Sequence, residues 1–339
     1  MGGLIQLAAY GNQDVFLTGN PQITFWKMVF KRHTHFAIES IEQPFTGNPT
    51  FGSTSGTSKV SLTLPKNTAD LIHKCHLQIE LQKGDGSDDT LKDNFGLKLL
   101  NRVTLSIDGQ AIDSHTGEWM EYWNEYTMEK EKESGYAELI GNSESFGSET
   151  NTTVIVPLQF YFCKHAGLSL PIHALQHSEV KVIIEFNKQS DCCNGSTISM
   201  KKCTLFVDYV FLDIAEKEQI LQGEQSFLIS QVQETSNLNI RDSGWSDEYN
   251  VKLDFLHPVK ELIWCFKDSS GLCEMKSAYI TMNGSQKRAS ERPGLYYRMM
   301  QPYDHHTRIP TKNLYNYSFA LKPEDAQPSG TCNFSRLDN

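Results

Sequence analysis

A chain of 339 residues with 39% hydrophobic and 11% aromatic side chains holds material for more than one packed core, because single cores stop growing at about 250 to 300 residues. That composition argues against a disordered chain, and a formal charge of -10 argues against a protein that coats nucleic acid, which needs a surplus of Lys and Arg on its contacting face. The 23 Gly and 12 Pro suit many turns better than long helices.

From the N-terminus, the apolar stretch Leu4 to Ala9 is shorter than a signal-peptide core and lacks a basic flank. Nothing downstream approaches the ~18 apolar residues of a membrane span, so the expectation is a soluble, non-secreted chain without membrane insertion. Gly2 opens no myristoylation signal, because Gln6 stands where Ser or Thr is required. Lys27, Lys31 and Arg32 are interleaved with Phe25, Trp26 and Phe30, a mixture that can contact nucleic acid. In a chain this acidic it reads better as a first strand with aromatic core residues and a basic rim.

The dominant periodicity after that is two, the mark of strands with one face on a core. Val60, Leu62 and Leu64 alternate with polar residues, as do Cys75, Leu77, Ile79 and Leu81. The same rhythm returns in Val103 to Ile107, Val180 to Phe186 and Cys203 to Phe211. With turn-rich gaps between, this is antiparallel sandwich sequence. One segment follows helical spacing instead: Trp119, Tyr122, Trp123 and Tyr126 on one side, Glu121, Glu125, Glu129 and Lys132 on the other. Its aromatic stripe reads as core and not as a ligand platform.

The polar segment Asp213 to Gln225 turns the chain over and marks a domain boundary. Beyond it Val251, Leu253 and Phe255, then Leu262, Trp264 and Phe266, look like the first inner strands again. Leu105-Ser-Ile-Asp-Gly109 is echoed by Ile280-Thr-Met-Asn-Gly284, each a strand entering a turn. The Asp108-to-Asn283 offset of 175 residues is that of a duplicated domain and not of a solenoid. An aromatic helix-like stretch follows each copy, from Gly117 to Tyr126 and from Gly294 to Met300. By this count the second copy ends two strands early.

No catalytic or cofactor site emerges. Gly167-Leu-Ser-Leu-Pro171 lacks the second glycine of a nucleophile elbow, and Gly52 to Lys59 lacks the Gly-Lys-Ser/Thr order of a phosphate loop and leads into a strand. The pairs His33/His35, His73/His76, His173/His177 and His305/His306 include no His-Glu-x-x-His, so no metal is expected. The acidic run Gly84 to Asp89 lacks calcium-loop spacing and reads as a hairpin tip. The eight scattered cysteines, without a Cys-x-x-Cys pair, read as reduced thiols. Asn-x-Ser/Thr triplets at Asn151, Asn194, Asn283, Asn316 and Asn333 are glycosylation candidates by motif only.

Three stretches carry a family resemblance. They are Gly3 to Lys27, running on through Val29 to Phe36; Pro157 to Cys163, with Gly167 to Pro171, Ala174 to His177 and Glu179 to Val182; and Asp108-Gly109 paired with Glu118-Trp-Met120. With them the chain resembles the major capsid proteins of the nucleocytoplasmic large DNA viruses, of the phycodnavirus, iridovirus and mimivirus kind. The resemblance implies an all-β tandem double jelly roll, two antiparallel eight-stranded sandwiches with a short helix in an inter-strand connection of each. The implied domains are an arm (1–24), a first jelly roll (25–213), a linker (214–224) and a second jelly roll (225–339) with its C-terminal strands missing. Either the gene product is truncated or another segment completes the second sheet, since an open sheet exposes an edge.

The resemblance further implies a non-enzymatic shell protein: a homotrimer forming pseudo-hexameric capsomers that tile an icosahedral virion, assembled in the host cytoplasm. The N-terminal residues, with Gln13, Asp14, Lys27, Lys31 and Arg32 as contact candidates, would face inward toward neighbouring subunits or minor capsid proteins. The loops Ser143 to Thr153 and Gln189 to Met200 would form the outer surface. The alternative is a carbohydrate-binding or glycan-processing tandem jelly roll, which needs aromatic platforms and, for hydrolysis, a carboxylate pair.

Overall fold

The computed structural model describes residues 2–337 apart from 54–55, 85–88, 143, 145, 147–148, 196, 236–248, 269–270, 283–285 and 288–289. Residues up to His35 form one unit and residues from Phe36 another. The first unit carries two short helices, α1 (Gly2–Ala8) and α2 (Val15–Thr18), neither with a buried residue. The strand expected over 25–32 is absent. Phe25, Trp26 and Phe30 are 89%, 95% and 82% exposed and are not core residues. Among the described residues none forms a ladder with 25–32, and an extended segment without a ladder has no other source of strand stability.

The second unit opens with eight long strands, β1 (Phe36–Pro44), β2 (Ser58–Thr63), β3 (Leu71–Gln82), β4 (Leu100–Ile107), β5 (Gln110–His115), β6 (Asn151–Pro157), β7 (Val180–Phe186) and β8 (Ser199–Leu212), beside a two-residue pair of Thr90–Leu91 with Cys193–Asn194. The eight long strands form two antiparallel four-stranded sheets, ordered β1-β8-β3-β6 and β2-β7-β4-β5. This is jelly-roll wiring, since only β4 and β5 are joined as a hairpin within one sheet. Their turn places Asp108 and Gly109 at φ +52° and +79°, the left-handed pair that a tight two-residue hairpin needs.

The alternating residues point inward as their period requires. Leu77 faces Leu205 on one side and Val156 on the other, and Val60, Val103, Val182 and Ile184 close the core from the opposite sheet. Helices α3 (Phe95–Leu99), α4 (Gly117–Thr127), α5 (Glu133–Ile140), α6 (Tyr161–Lys164) and α7 (Gln189–Cys192) fill the connections. All eight cysteines are free thiols. Burial pushes those of Cys192, Cys193 and Cys203 up to about 12, which keeps them protonated and unreactive near neutrality.

The segment after β8 is not the irregular linker that its polarity implied. Asp213 caps a helix, α8 (Ile214–Gln222), by accepting from the Ile214 N–H, and Gly223 follows the last helical residue. Asp cap, helix-forming residues and terminal glycine are a local helix signal. Lys217 then ties the helix to Asp70 of the first sandwich at 2.7 Å. Further on, the chain straps across β5: Gln231 donates to the Ile112 carbonyl at 2.6 Å and the Val232 N–H to Asp113 at 3.2 Å.

Beyond residue 257 the described strands pair only in twos: β9 (Pro258–Val259), β10 (Glu261–Trp264), β11 (Phe266–Asp268), β12 (Gly271–Cys273), β13 (Ser277–Ala278), β14 (Thr281–Met282), β15 (Gln286–Lys287), β16 (Arg292–Pro293), β17 (Tyr315–Ser318) and β18 (Cys332–Asn333). Residues 251–255, expected as a strand, form no ladder, and no described strand runs beside them. The repeated hairpin is present as β14 paired with β15, although Asn283 and Gly284 lie outside the described residues. The second aromatic stretch is helical, a π-turn at Tyr296–Met300 running into α9 (Gln301–His305). A small aromatic core of Tyr297, Tyr315 and Tyr317, flanked by Trp264 and Phe266, holds this half. Among the described residues no helix is long and apolar enough to cross a membrane.

The centre and the edge of the first sandwich differ in what they bury. Leu77→Ala removes a side chain from a fully enclosed site and should cost about 3 kcal/mol. Ile38→Ala on the exposed edge strand β1 should cost less than about 1 kcal/mol. Denaturant titration of the two variants checks the difference.

Candidate assembly interface

Helix α4 is the element on which both halves meet. Thr116 caps it by accepting from the Trp119 N–H at 3.2 Å. Gly117 is required at its start because a Cβ there would lie 1.9 Å from the Leu97 carbonyl oxygen. Met120 and Asn124 face the first sandwich, where the Asn124 amide donates to the Tyr136 hydroxyl at 2.6 Å. Trp119 and Trp123 stack at 5.6 Å between centroids, and Lys164 sits 4.5 Å from the Trp123 ring.

The face expected to be solvated carries the second half. Lys312 lies between Glu121 and Glu125 at 2.5 and 3.2 Å, with both carboxylates mostly buried. Thr311 donates to Glu125 through its N–H and its hydroxyl, at 3.3 and 3.0 Å. Burial would push the Glu125 carboxyl up, but the Lys312 charge and the Thr311 donors hold it below its ordinary value. Arg308 pairs with Glu133 at 2.8 Å and donates its N–H to the Tyr126 carbonyl at 3.0 Å. Lys267 pairs with Glu118 at 2.6 Å, but both side chains are more than half exposed, so that pair contributes little.

At the centre of this contact Tyr126 lies 4.7 Å from the His306 ring. The Tyr122 hydroxyl is hydrogen-bonded to the Cys265 thiol. His306 is wholly enclosed, with Nε2 2.9 Å from Glu261 and Nδ1 2.8 Å from Glu324. Burial alone would favour neutral imidazole; hydrogen bonds to the two carboxylates and their charges outweigh it and raise the pKa to about 9. The two ring nitrogens serve different carboxylates, so the trio is a charged bridge and not a ligand set. Among the described residues no three His, Cys, Asp or Glu converge on a metal position.

The sequence candidates fall elsewhere. Asn151 and Asn194 are exposed at strand ends, and Asn333 is exposed while accepting from the Ser335 N–H. Asn316 is fully enclosed, donating to Glu261 at 2.9 Å, which removes it as a glycan acceptor. Asn283 lies outside the described residues, as do Trp245 and much of the acidic run at 85–88. Gln13, Lys27, Lys31 and Arg32 are exposed, and Asp14 accepts from the Gly11 N–H at 2.7 Å. These five share the N-terminal unit, but no described contact gathers them into a site. His173 and His177 lie in turns, as Pro171 implies. Of the tryptophans that a glycan site would use, Trp264 packs against Tyr297 at 5.3 Å in the small core, and Trp119 and Trp123 are stacked on each other along α4. Sequence reasoning named His306 only within a histidine pair and missed its carboxylate partners, and it missed Lys312 altogether, because the partners of both lie in other elements and leave no local motif.

Protonated His306 stabilises the fold in a pH-dependent way. Its folded pKa is about 9 against an ordinary 6.5. The contribution, on the order of 3 kcal/mol, is therefore full below about pH 6.5 and is lost as pH rises through 9. Thermal melts should show the wild type weakening between pH 6 and 9.5, and His306→Gln should be less stable at pH 6 with a flatter profile.

Two family models match the chain: major capsid protein N-terminus over residues 24–213, and large eukaryotic DNA virus major capsid protein over residues 271–339. The major capsid protein of Pyramimonas orientalis virus is 40% identical over 100% of this chain and 90% of its own length. That of Paramecium bursaria Chlorella virus 1 is 36% identical over 100% and 86%. Among solved structures, a chain of the PBCV-1 virus capsid superposes with a TM-score of 0.82 at 31% identity, covering 93% of this chain and 85% of that one. The Faustovirus major capsid protein shares the fold at a TM-score of 0.70 and 12% identity over 98% and 91%. Jelly-roll wiring, the repeated hairpin and helix, and full-length similarity agree: the chain belongs to the major capsid proteins of the large eukaryotic DNA viruses, double jelly-roll proteins with a structural role in the virion capsid.

Proposed function

We propose that this chain is a shell-building subunit without enzymatic activity, which trimerises into capsomers of pseudo-hexagonal outline that tile an icosahedral lattice. Assembly would take place in the host cytoplasm. The observation that carries this reading is the side-by-side contact through α4, where one sandwich seats on the next by charge and aromatic packing. Such a contact is heterologous, and a heterologous contact repeated about an axis closes a ring. Three chains with two jelly rolls each supply six similar blocks.

Within that reading the chain divides into an arm, a first jelly roll ending near residue 213, a short linker and a second jelly roll. The alignment to the Pyramimonas orientalis virus protein runs over 372 positions while using all 339 residues here. This supports a subunit shortened within its length. The arm, with Leu4, Phe16, Trp26 and Phe30 strongly exposed, has the apolar surface of a segment that finds a partner. Neighbouring subunits or minor capsid proteins on the inner face are that partner, with Gln13, Asp14, Lys27, Lys31 and Arg32 among the contacts. Asn151, Asn194 and Asn333 stay accessible to modifying enzymes.

Size-exclusion chromatography with light scattering on the purified chain should give three times the chain mass. A strictly monomeric species from micromolar to near-millimolar concentration would overturn the reading. Removing residues 2–30 should leave the trimer intact while abolishing sheet or shell formation in negative-stain images.

A further inference from the structure

The helix that joins the two halves has a counterpart within the second half, running from Gly294 through α9. Gly294 occupies the same kind of site as Gly117: a Cβ on either would lie 2.0 or 1.9 Å from a carbonyl oxygen, of Met275 and Leu97 respectively. Counting three residues on from each glycine gives Met120 and Tyr297, both buried; counting seven on gives Asn124 and Gln301, both buried polar residues. The two stretches therefore correspond at these buried positions, the second opening as a π-turn over Tyr296–Met300. The positions of Glu118, Tyr122 and Tyr126, which α4 turns toward the second half, are held in the other copy by Leu295, Met299 and Tyr303.

Tyr126 is fully enclosed by its contact, whereas Leu295, Met299 and Tyr303 are 61%, 38% and 74% exposed, with neighbouring Met300 at 55%. An apolar stripe of this kind on one helix face marks an interaction surface. The surface that receives α4 also has a counterpart. Tyr126 and Tyr122 meet residues of the β10–β17 pair and its surroundings on the side opposite the aromatic core, where Ile263 faces Asn316 while Leu262 and Tyr317 point inward. In the first sandwich β6 is likewise the strand that follows the helix, paired antiparallel with β3. There Gln78 faces Ile155 outward while Leu77 and Val156 point inward, and both Gln78 and Ile155 are half-exposed.

We infer that Leu295, Met299, Met300 and Tyr303 form the face by which one copy of the chain seats on the outer side of the β3–β6 pair of the next copy, around Gln78 and Ile155. This rests on the trimeric reading above and names its contact. The two versions differ in chemistry. Glu121 and Glu125 of the in-chain contact are replaced by Arg298, already bound to Asn313 at 2.7 Å, and by Pro302. The inter-chain contact is thus apolar where the in-chain contact is charged, and salt screens it little.

The test uses the full chain in light scattering, with circular dichroism and thermal melts to verify folding. The combined variant Met299→Asp/Tyr303→Asp should be a folded monomer, Ile155→Lys should be monomeric as well, and Tyr303→Phe should remain trimeric. The wild-type trimer should persist in 1 M NaCl. A trimeric Met299→Asp/Tyr303→Asp variant would overturn this inference and leave the trimeric reading standing, whereas a monomeric wild type would overturn both. Hydroxyl-radical footprinting of the wild-type trimer gives a readout independent of any variant. Met299, Met300 and Tyr303 should be protected, and their full oxidation in the trimer would contradict the assignment.

Discussion

The second half of this protein is seated chiefly on helix α4 of the first, with further ties to Glu133 and β5. Its own core is three buried tyrosines with a fringe of partly buried aromatics, too little for independent stability in a segment whose described strands pair only in twos. The shortfall is met at α4, where Lys312 sits between two α4 carboxylates and Tyr126 packs on the ring of His306, which is itself held by two carboxylates of the second half. Removing either partner would strand buried charge, which is why such contacts fix a relative position even when their net contribution to stability is modest. The first sandwich needs no such support, with two four-stranded sheets closing on aliphatic residues from all eight strands and the connecting helices.

The sequence was legible wherever burial imposed a period. Each inner strand of the first sandwich alternates because one face meets the core, so Cys75 to Leu81 and Val180 to Phe186 could be read residue by residue. The edge strand β1 could not, since both its faces are largely exposed and nothing forces alternation. Alternation also misled: Val251, Leu253 and Phe255 have the rhythm of a strand but no partner to complete a ladder. The basic and aromatic run at 25–32 failed for the same reason. The linker helix hid behind its polarity, although Asp213 and Gly223 mark its two ends.

The assembly surfaces were less legible because their logic is tertiary. Glu121 and Glu125 have the spacing of a solvated helix face, and only the fold brings Lys312 and Thr311 to them. His306 stood in one of four histidine pairs weighed as metal ligands, yet it is the most enclosed of the charged groups in the contact. Asn316 carries a glycosylation triplet and is buried under the same bridge. What the sequence did carry was the repeat, and the repeat is what lets a contact made inside one chain specify the contact between chains.

The account turns on α4 holding the second half in place. Native-state hydrogen exchange of the wild type and Tyr126→Ala tests this directly. Protection of the β17 amides, Tyr315–Ser318, should fall at least tenfold in the variant while the amides of β3 and β8 keep their protection. Unchanged protection at Tyr315–Ser318 would contradict the account, because the second half would then stand on its own core.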